Sequence, residues 1–92
     1  MLEIAYRKEA ATDLKAIFAY YSEVAPHAIP AIQTDINRAL DLLQRHPKIG
    51  APVAKRKFRR IVTARYRFKI AYRASRTQIE ILGVFRFQDR DR

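Results

Sequence analysis

Cysteine and tryptophan are absent from this 92-residue chain, and glycine occurs only twice. Without cysteine there is neither a disulfide framework nor a thiolate metal site. With only Gly50 and Gly83, a phosphate-cradling loop of the P-loop or dinucleotide type is excluded. The two histidines, His27 and His46, lie near the two ends of one helical stretch with no carboxylate pair beside them, which is not a metal-ligand set. Serine is limited to Ser22 and Ser75, neither in a nucleophile-elbow context. The longest apolar stretch, Ile79 to Phe87, is interrupted by Glu80 and Arg86 and is far short of a membrane span. Glu3, Arg7, Lys8 and Glu9 break up the N-terminus, so it lacks the apolar core of a signal peptide. A cytoplasmic protein without membrane contact, metal or cofactor is expected.

Acidic residues are scarce in one half only. Residues 1–50 hold six Lys/Arg and six Asp/Glu, whereas residues 51–92 hold thirteen and three. The whole net charge of +10 therefore sits in the second half. Solvated charges on a strand face account for single arginines, but an uncompensated half points to an anionic partner: nucleic acid, an acidic protein or an anionic surface. A chain of this length makes one domain, 1–92, and buries only about 60–65% of its unfolded surface.

Hydrophobic periodicity sets out the elements. Leu2, Ile4 and Tyr6 alternate with Glu3 and Ala5, the period of a half-buried strand. From about Lys8 to Glu23 the period becomes helical, with Ala10, Leu14, Ile17, Phe18 and Tyr21 on one stripe. A second helix follows Pro26, carrying Ile29, Ile32, Ile36, Leu40 and Leu43, with Gln33, Asp35, Arg38 and Asp41 expected to face away. Pro30 requires a kink or a later start, and Pro47 ends the helix. Lys48 to Lys57 reads as a loop containing a basic run, Lys55–Arg56–Lys57. Three strands are then expected: Phe58 to Ala64, Tyr66 to Ala74 and Thr77 to Phe87. In the middle one, Phe68, Ile70 and Tyr72 alternate with Arg67, Lys69 and Arg73, giving one apolar and one cationic face. The last is apolar at nearly every position of IEILGV, as suits a central strand covered on both sides. The tail, QDRDR, is polar. The expected fold is α+β, β-α-α-β-β-β, with a helical hairpin packed on an antiparallel sheet.

Cleavage of RNA by a cationic site would need a base, an acid and charge neutralisation. Arg60, Lys69 and Arg86 supply cations, but Glu80 reads as the partner of a neighbouring arginine and Tyr72 as core. Phe85 and Phe87 flank Arg86 and offer either a stacking surface for single-stranded nucleic acid or plain packing at a strand end.

Over the whole length the chain resembles the RelE/ParE superfamily of toxins from bacterial type II toxin–antitoxin modules. The residues carrying the resemblance are AATDLKAIFAYYSEVAP, LDLLQRHPKIG, and the series FRRIV, RFKIAYRA and IEILGVFRFQDR. RelE-like toxins cut messenger RNA on the ribosome, and the resemblance places Arg60, Lys69 and Arg86 at their cationic positions. The tyrosine or histidine such toxins carry near the C-terminus has no counterpart after Phe87. The RRIV, IAYR and IEIL series is more similar to the ParE branch, although Arg86 stands where ParE-like chains often have histidine. ParE-like toxins inhibit DNA gyrase without catalysis and serve plasmid stabilisation. The resemblance thus implies two partners, a cognate antitoxin and DNA gyrase, with a higher toxin–antitoxin assembly possible. Arg59, Arg60, Lys69, Arg73, Arg86 and Arg90 are the candidate partner-binding residues. A ribosome-dependent endoribonuclease acting on mRNA, and a non-toxic nucleic-acid-binding module, are the alternatives.

Overall fold

The alternation at the N-terminus forms β1 (Glu3–Tyr6), and the switch to helical spacing forms α1 (Lys8–Val24). The Ala25 N–H closes α1 on the Tyr21 carbonyl. Pro26 opens a short 3-10 turn, Pro26–Ala28, and α2 (Ile29–Arg45) follows. Of the two options for Pro30, the later helix start holds. Pro30 falls in the first turn of α2, where its missing N–H leaves no bond unmade. Beyond α2 come β2 (Ala51–Pro52), β3 (Arg59–Val62), β4 (Lys69–Ala74) and β5 (Gln78–Phe85). The computed structural model describes residues 2–86, so Phe87, Arg90 and the polar tail lie outside the described residues.

Two helices on a five-stranded sheet make the α+β fold expected, with two changes. First, the sheet is mixed rather than antiparallel. Its strand order is β1-β5-β4-β3-β2, and β1 runs parallel to β5 with Ile4 opposite Ile79. Alternation along a strand tells which face is buried but not which way its neighbour runs. β2, two residues inside the expected loop, pairs with Arg59 and Arg60. Second, β5 is an interior strand with a neighbour on each edge, but among the described residues helices cover only one of its faces rather than both, and a register shift contributes to its run of apolar residues. Ala71 pairs with Gly83 and Tyr72 with Ile81, so Leu82 has no partner in β4. That bulge switches the parity of the strand, and Ile79, Ile81 and Val84 all reach one core.

The core lies between the helices and one face of the sheet. From α2 it takes Ile32, Ile36, Ala39, Leu40 and Leu43, and from α1 Ala10 and Ile17. Phe68, Ile70 and Tyr72 complete it from the β4 segment. Tyr21, Tyr66 and Phe68 pack at its rim, with ring centroids 6.2–6.4 Å apart.

Buried polar groups fasten the connections to this core. Asp35, expected on the solvent side of α2, is instead only 6% exposed. Its carboxylate accepts the backbone N–H groups of Arg65 at 3.0 Å and Tyr66 at 2.7 Å. The β3–β4 connection needs those acceptors, because Arg67 takes a positive φ of 63° there and the tight turn leaves N–H groups without strand partners. Within the turn, the Thr63 hydroxyl accepts the Phe68 N–H at 2.9 Å. Asp13 of α1 plays the same part for β5, accepting the Val84 N–H at 3.0 Å, beyond the point where β1 ends opposite Ile81. We predict that Asp35→Ala lowers the unfolding free energy by about 3 kcal/mol, since it strips a charged acceptor from two backbone donors. Asp41→Ala removes only an exposed pair with Arg45 and should cost less than about 0.5 kcal/mol in the same urea titrations.

Candidate partner-binding surfaces

The register of the strands sorts the candidate cations. Arg60 pairs with Ala71, so it sits diagonally between Lys69 and Arg73 on the neighbouring strand. These three side chains project from the face of the sheet opposite the helices. Arg60 and Arg73 are exposed and Lys69 is half-buried. Val62, 45% exposed, shares that face. Three of the six candidates are thereby brought together.

The other described candidates go elsewhere. Arg59 is opposite Tyr72, on the helix side, and donates to the Gly50 carbonyl at 2.8 Å. Arg86 lies 4.4 Å from the centroid of the Tyr20 ring on α1, a cation–π arrangement at the far end of β5. The resemblance groups Arg86 with the sheet cations Arg60 and Lys69; the bulge at Leu82 sends it to the α1 side instead. Arg60, Lys69 and Arg86 consequently do not share one face. Arg90 lies outside the described residues.

Glu80 and Tyr72, the acid–base candidates of the basic half, are already engaged. Glu80 takes a hydrogen bond from Arg73 at 2.8 Å and lies 3.7 Å from Arg7, as expected of a carboxylate among arginines. The Arg73 hydrogen bond, with the charges of Arg73 and Arg7, holds its pKa below the ordinary glutamate value. Tyr72 is fully buried. Its hydroxyl donates to the Pro47 carbonyl at 2.8 Å and accepts the Gly50 N–H at 2.9 Å. Burial raises its pKa, against smaller opposing effects of the Gly50 hydrogen bond and the Arg59 charge, so the phenol stays protonated as a strut for the loop after α2. Gly50 is required at this spot, because a Cβ there would come within 2.7 Å of the Tyr72 ring. Among the described residues no group of three or more His, Cys, Asp or Glu is placed to hold a metal.

Two concavities flank the sheet edge that β2 only partly covers. The larger, about 440 Å³, lies between α2 and β3 and is lined by Ala31, Arg38 and Leu42 on one side and Ile61, Val62 and Thr63 on the other. Because β2 stops at Arg60, the outer edge of β3 beyond that point has no strand beside it. Neither this groove nor the half-covered edge was legible in the sequence, since both depend on how α2 lies against β3. The second concavity, about 260 Å³, is lined by Lys48, Arg56, Lys57, Arg59 and Arg73 around Tyr72.

These features define a small α+β domain whose core is one-sided and whose bare sheet face is cationic. The chain belongs to the ParE toxin family: the family described as ParE toxin of type II toxin–antitoxin system, parDE, matches residues 4–92. Among solved structures it is similar to a chain of the chromosomal ParDE toxin–antitoxin system from P. aeruginosa. The two are 29% identical, the match covers 94% of this chain and 96% of that one, and the TM-score is 0.77. No curated protein matches it. No helix among the described residues is long and apolar enough to cross a membrane.

The Glu80 carboxylate gives a pH prediction. Its folded pKa is depressed, so its contribution is complete above the unfolded glutamate value of about 4.3 and is lost as pH falls through the lower folded value. The stability difference between the parent and Glu80→Gln should therefore shrink on acidification from about pH 5 to about pH 3. Urea midpoints at each pH measure it; a constant difference would contradict the assignment.

Proposed function

We propose that this toxin inhibits DNA gyrase by binding it, without catalysing a reaction, and that an acidic antitoxin segment neutralises it. The observation that carries the reading is a cationic face on which, among the described residues, no acid–base group is unengaged. Arg60, Lys69 and Arg73 share the bare sheet face, while Glu80 is held by Arg73 and Tyr72 is locked beneath the loop. Such a surface can dock a polyanionic or acidic partner but lacks the base and acid that cleavage of RNA demands. The separation of Arg86 from Arg60 and Lys69 argues the same way. The solved relative belongs to a ParDE system, and the family is that of ParE toxins, which supports an antitoxin as the partner of this chain.

The groove between α2 and β3 suits such an antitoxin segment. It offers apolar side chains beside a sheet edge open to a further strand, with Arg38, Arg60 and Arg65 along its lining. Main-chain hydrogen bonds at the edge would give affinity and the arginines would select acidic residues.

In a supercoiling assay the purified chain should inhibit gyrase, and its antitoxin should relieve the inhibition. Arg60→Glu/Lys69→Glu should weaken antitoxin binding at least tenfold, equivalent to about 1.4 kcal/mol. Unchanged supercoiling by active gyrase, together with cut messages in a translation extract, would move the assignment to an endoribonuclease. Unchanged antitoxin affinity in the double variant would remove the cationic face from the neutralisation surface.

A further inference from the structure

The smaller concavity has a chemistry of its own. It forms where the loop after α2, the 53–58 turn and the ends of β3 and β4 meet, and five cationic residues line it: Lys48, Arg56, Lys57, Arg59 and Arg73. No carboxylate is among its lining residues. Arg73 shares its charge with Glu80, but among the described residues no carboxylate is paired with Lys48, Arg56 or Lys57. Like charges gathered without counter-charges repel one another, at a standing cost that a bound anion removes. The floor beneath them is fixed. Arg59 is tied to the Gly50 carbonyl, and Gly50 is tied in turn to the Tyr72 hydroxyl.

We propose that this pocket is a phosphate-binding site through which the protein grips the backbone of duplex DNA. Arg56 carries a planar fork that matches paired phosphate oxygens, Lys48 and Lys57 add point charges, and Arg59 and Arg73, each with one guanidinium nitrogen already engaged, add positive charge at the rim. An acidic peptide fits less well, because a peptide also needs apolar seats for its side chains. The groove between α2 and β3 offers more of them: here the apolar lining is Pro52, Phe58, Tyr72 and Ala74, of which Tyr72 is buried and Phe58 half-buried. Single-stranded nucleic acid needs exposed rings on which bases stack. The aromatic residues of this pocket, Phe58 and Tyr72, are half-buried and buried. The exposed large aromatics among the described residues, Tyr6 and Tyr20, sit on β1 and α1. Cations continue from the pocket onto the bare sheet face through Arg60 and Lys69, giving a duplex more than one phosphate contact. The site reads no base sequence, since phosphate contacts position a protein without specifying a sequence.

This inference is independent of the gyrase reading, because DNA alone serves as the probe. Fluorescence anisotropy of a labelled 20-base-pair duplex, titrated with the full chain across a salt series, reads both affinity and the number of phosphates engaged. Binding should weaken with salt at a slope of about 0.9 per phosphate contact. Arg56→Glu/Lys57→Glu should lower affinity at least tenfold and reduce the slope by about 2. Both side chains are exposed, so the variant should keep the parent's urea midpoint. Lys8→Glu/Lys15→Glu makes the same charge change on exposed positions of α1 and should stay within about threefold of the parent, as expected for distant screened charges. Equal losses in both variants would mean that net charge alone attracts DNA, and the pocket would be refuted. So would an absence of binding at low salt, tighter binding of a single-stranded oligonucleotide, or competition by a poly-glutamate peptide as effective as unlabelled duplex at matched charge.

Discussion

The sheet of this protein has two faces, and among the described residues helices cover only one of them. α1 and α2 both pack on the side where Ile70, Tyr72, Ile79, Ile81 and Val84 converge. Burying those side chains is the main source of stability available to so short a chain. The opposite face then has to be compatible with water, and the strands meet that requirement with Arg60, Lys69 and Arg73. The cationic surface and the hydrophobic core are thus two consequences of one alternation.

A one-sided core leaves its loops to be held from within. Asp35 reaches from α2 to the β3–β4 turn, Asp13 from α1 to β5, and Tyr72 from the sheet to the loop following α2. In each case a side chain from one layer satisfies backbone groups of another, so helices and sheet are joined by polar contacts as well as apolar packing. These contacts also determine where function can sit. Tyr72 and Arg59 stiffen the rim of the cationic pocket, while Asp35 holds the turn at one end of the apolar groove. The two concavities differ in chemistry because the groove is lined by Ala31, Ala39 and Leu42 of α2 together with Ile61 and Val62, whereas the pocket lies under the basic loop.

Strand parity decides which charged residues act together. Adjacent arginines at 59 and 60 are sent to opposite sides of β3, one bracing a loop and the other facing solvent. One bulge residue, Leu82, sets the side on which the end of β5 emerges and thereby directs Arg86 onto Tyr20. A ParE toxin of this kind therefore divides its positive charge among a flat face, a lined pocket and a site beside α1.

The sequence by itself determined the order of the elements apart from the two-residue β2, both helices, the apolar side of β4 and the confinement of charge to the second half. Each is written in local periodicity or composition, which requires no knowledge of distant neighbours. The pairing of Glu80 with arginine was also legible, because no other carboxylate precedes the tail in the second half. The parallel direction of β1, the bulge in β5, the burial of Asp35 and the two concavities were decided only in three dimensions. Asp35 has the spacing of an exposed helix position, and only the arrival of residues 65 and 66, some thirty positions later, makes it a buried acceptor. Direction, register and burial are properties of pairs of segments, and a periodicity read along one segment contains no term for the other.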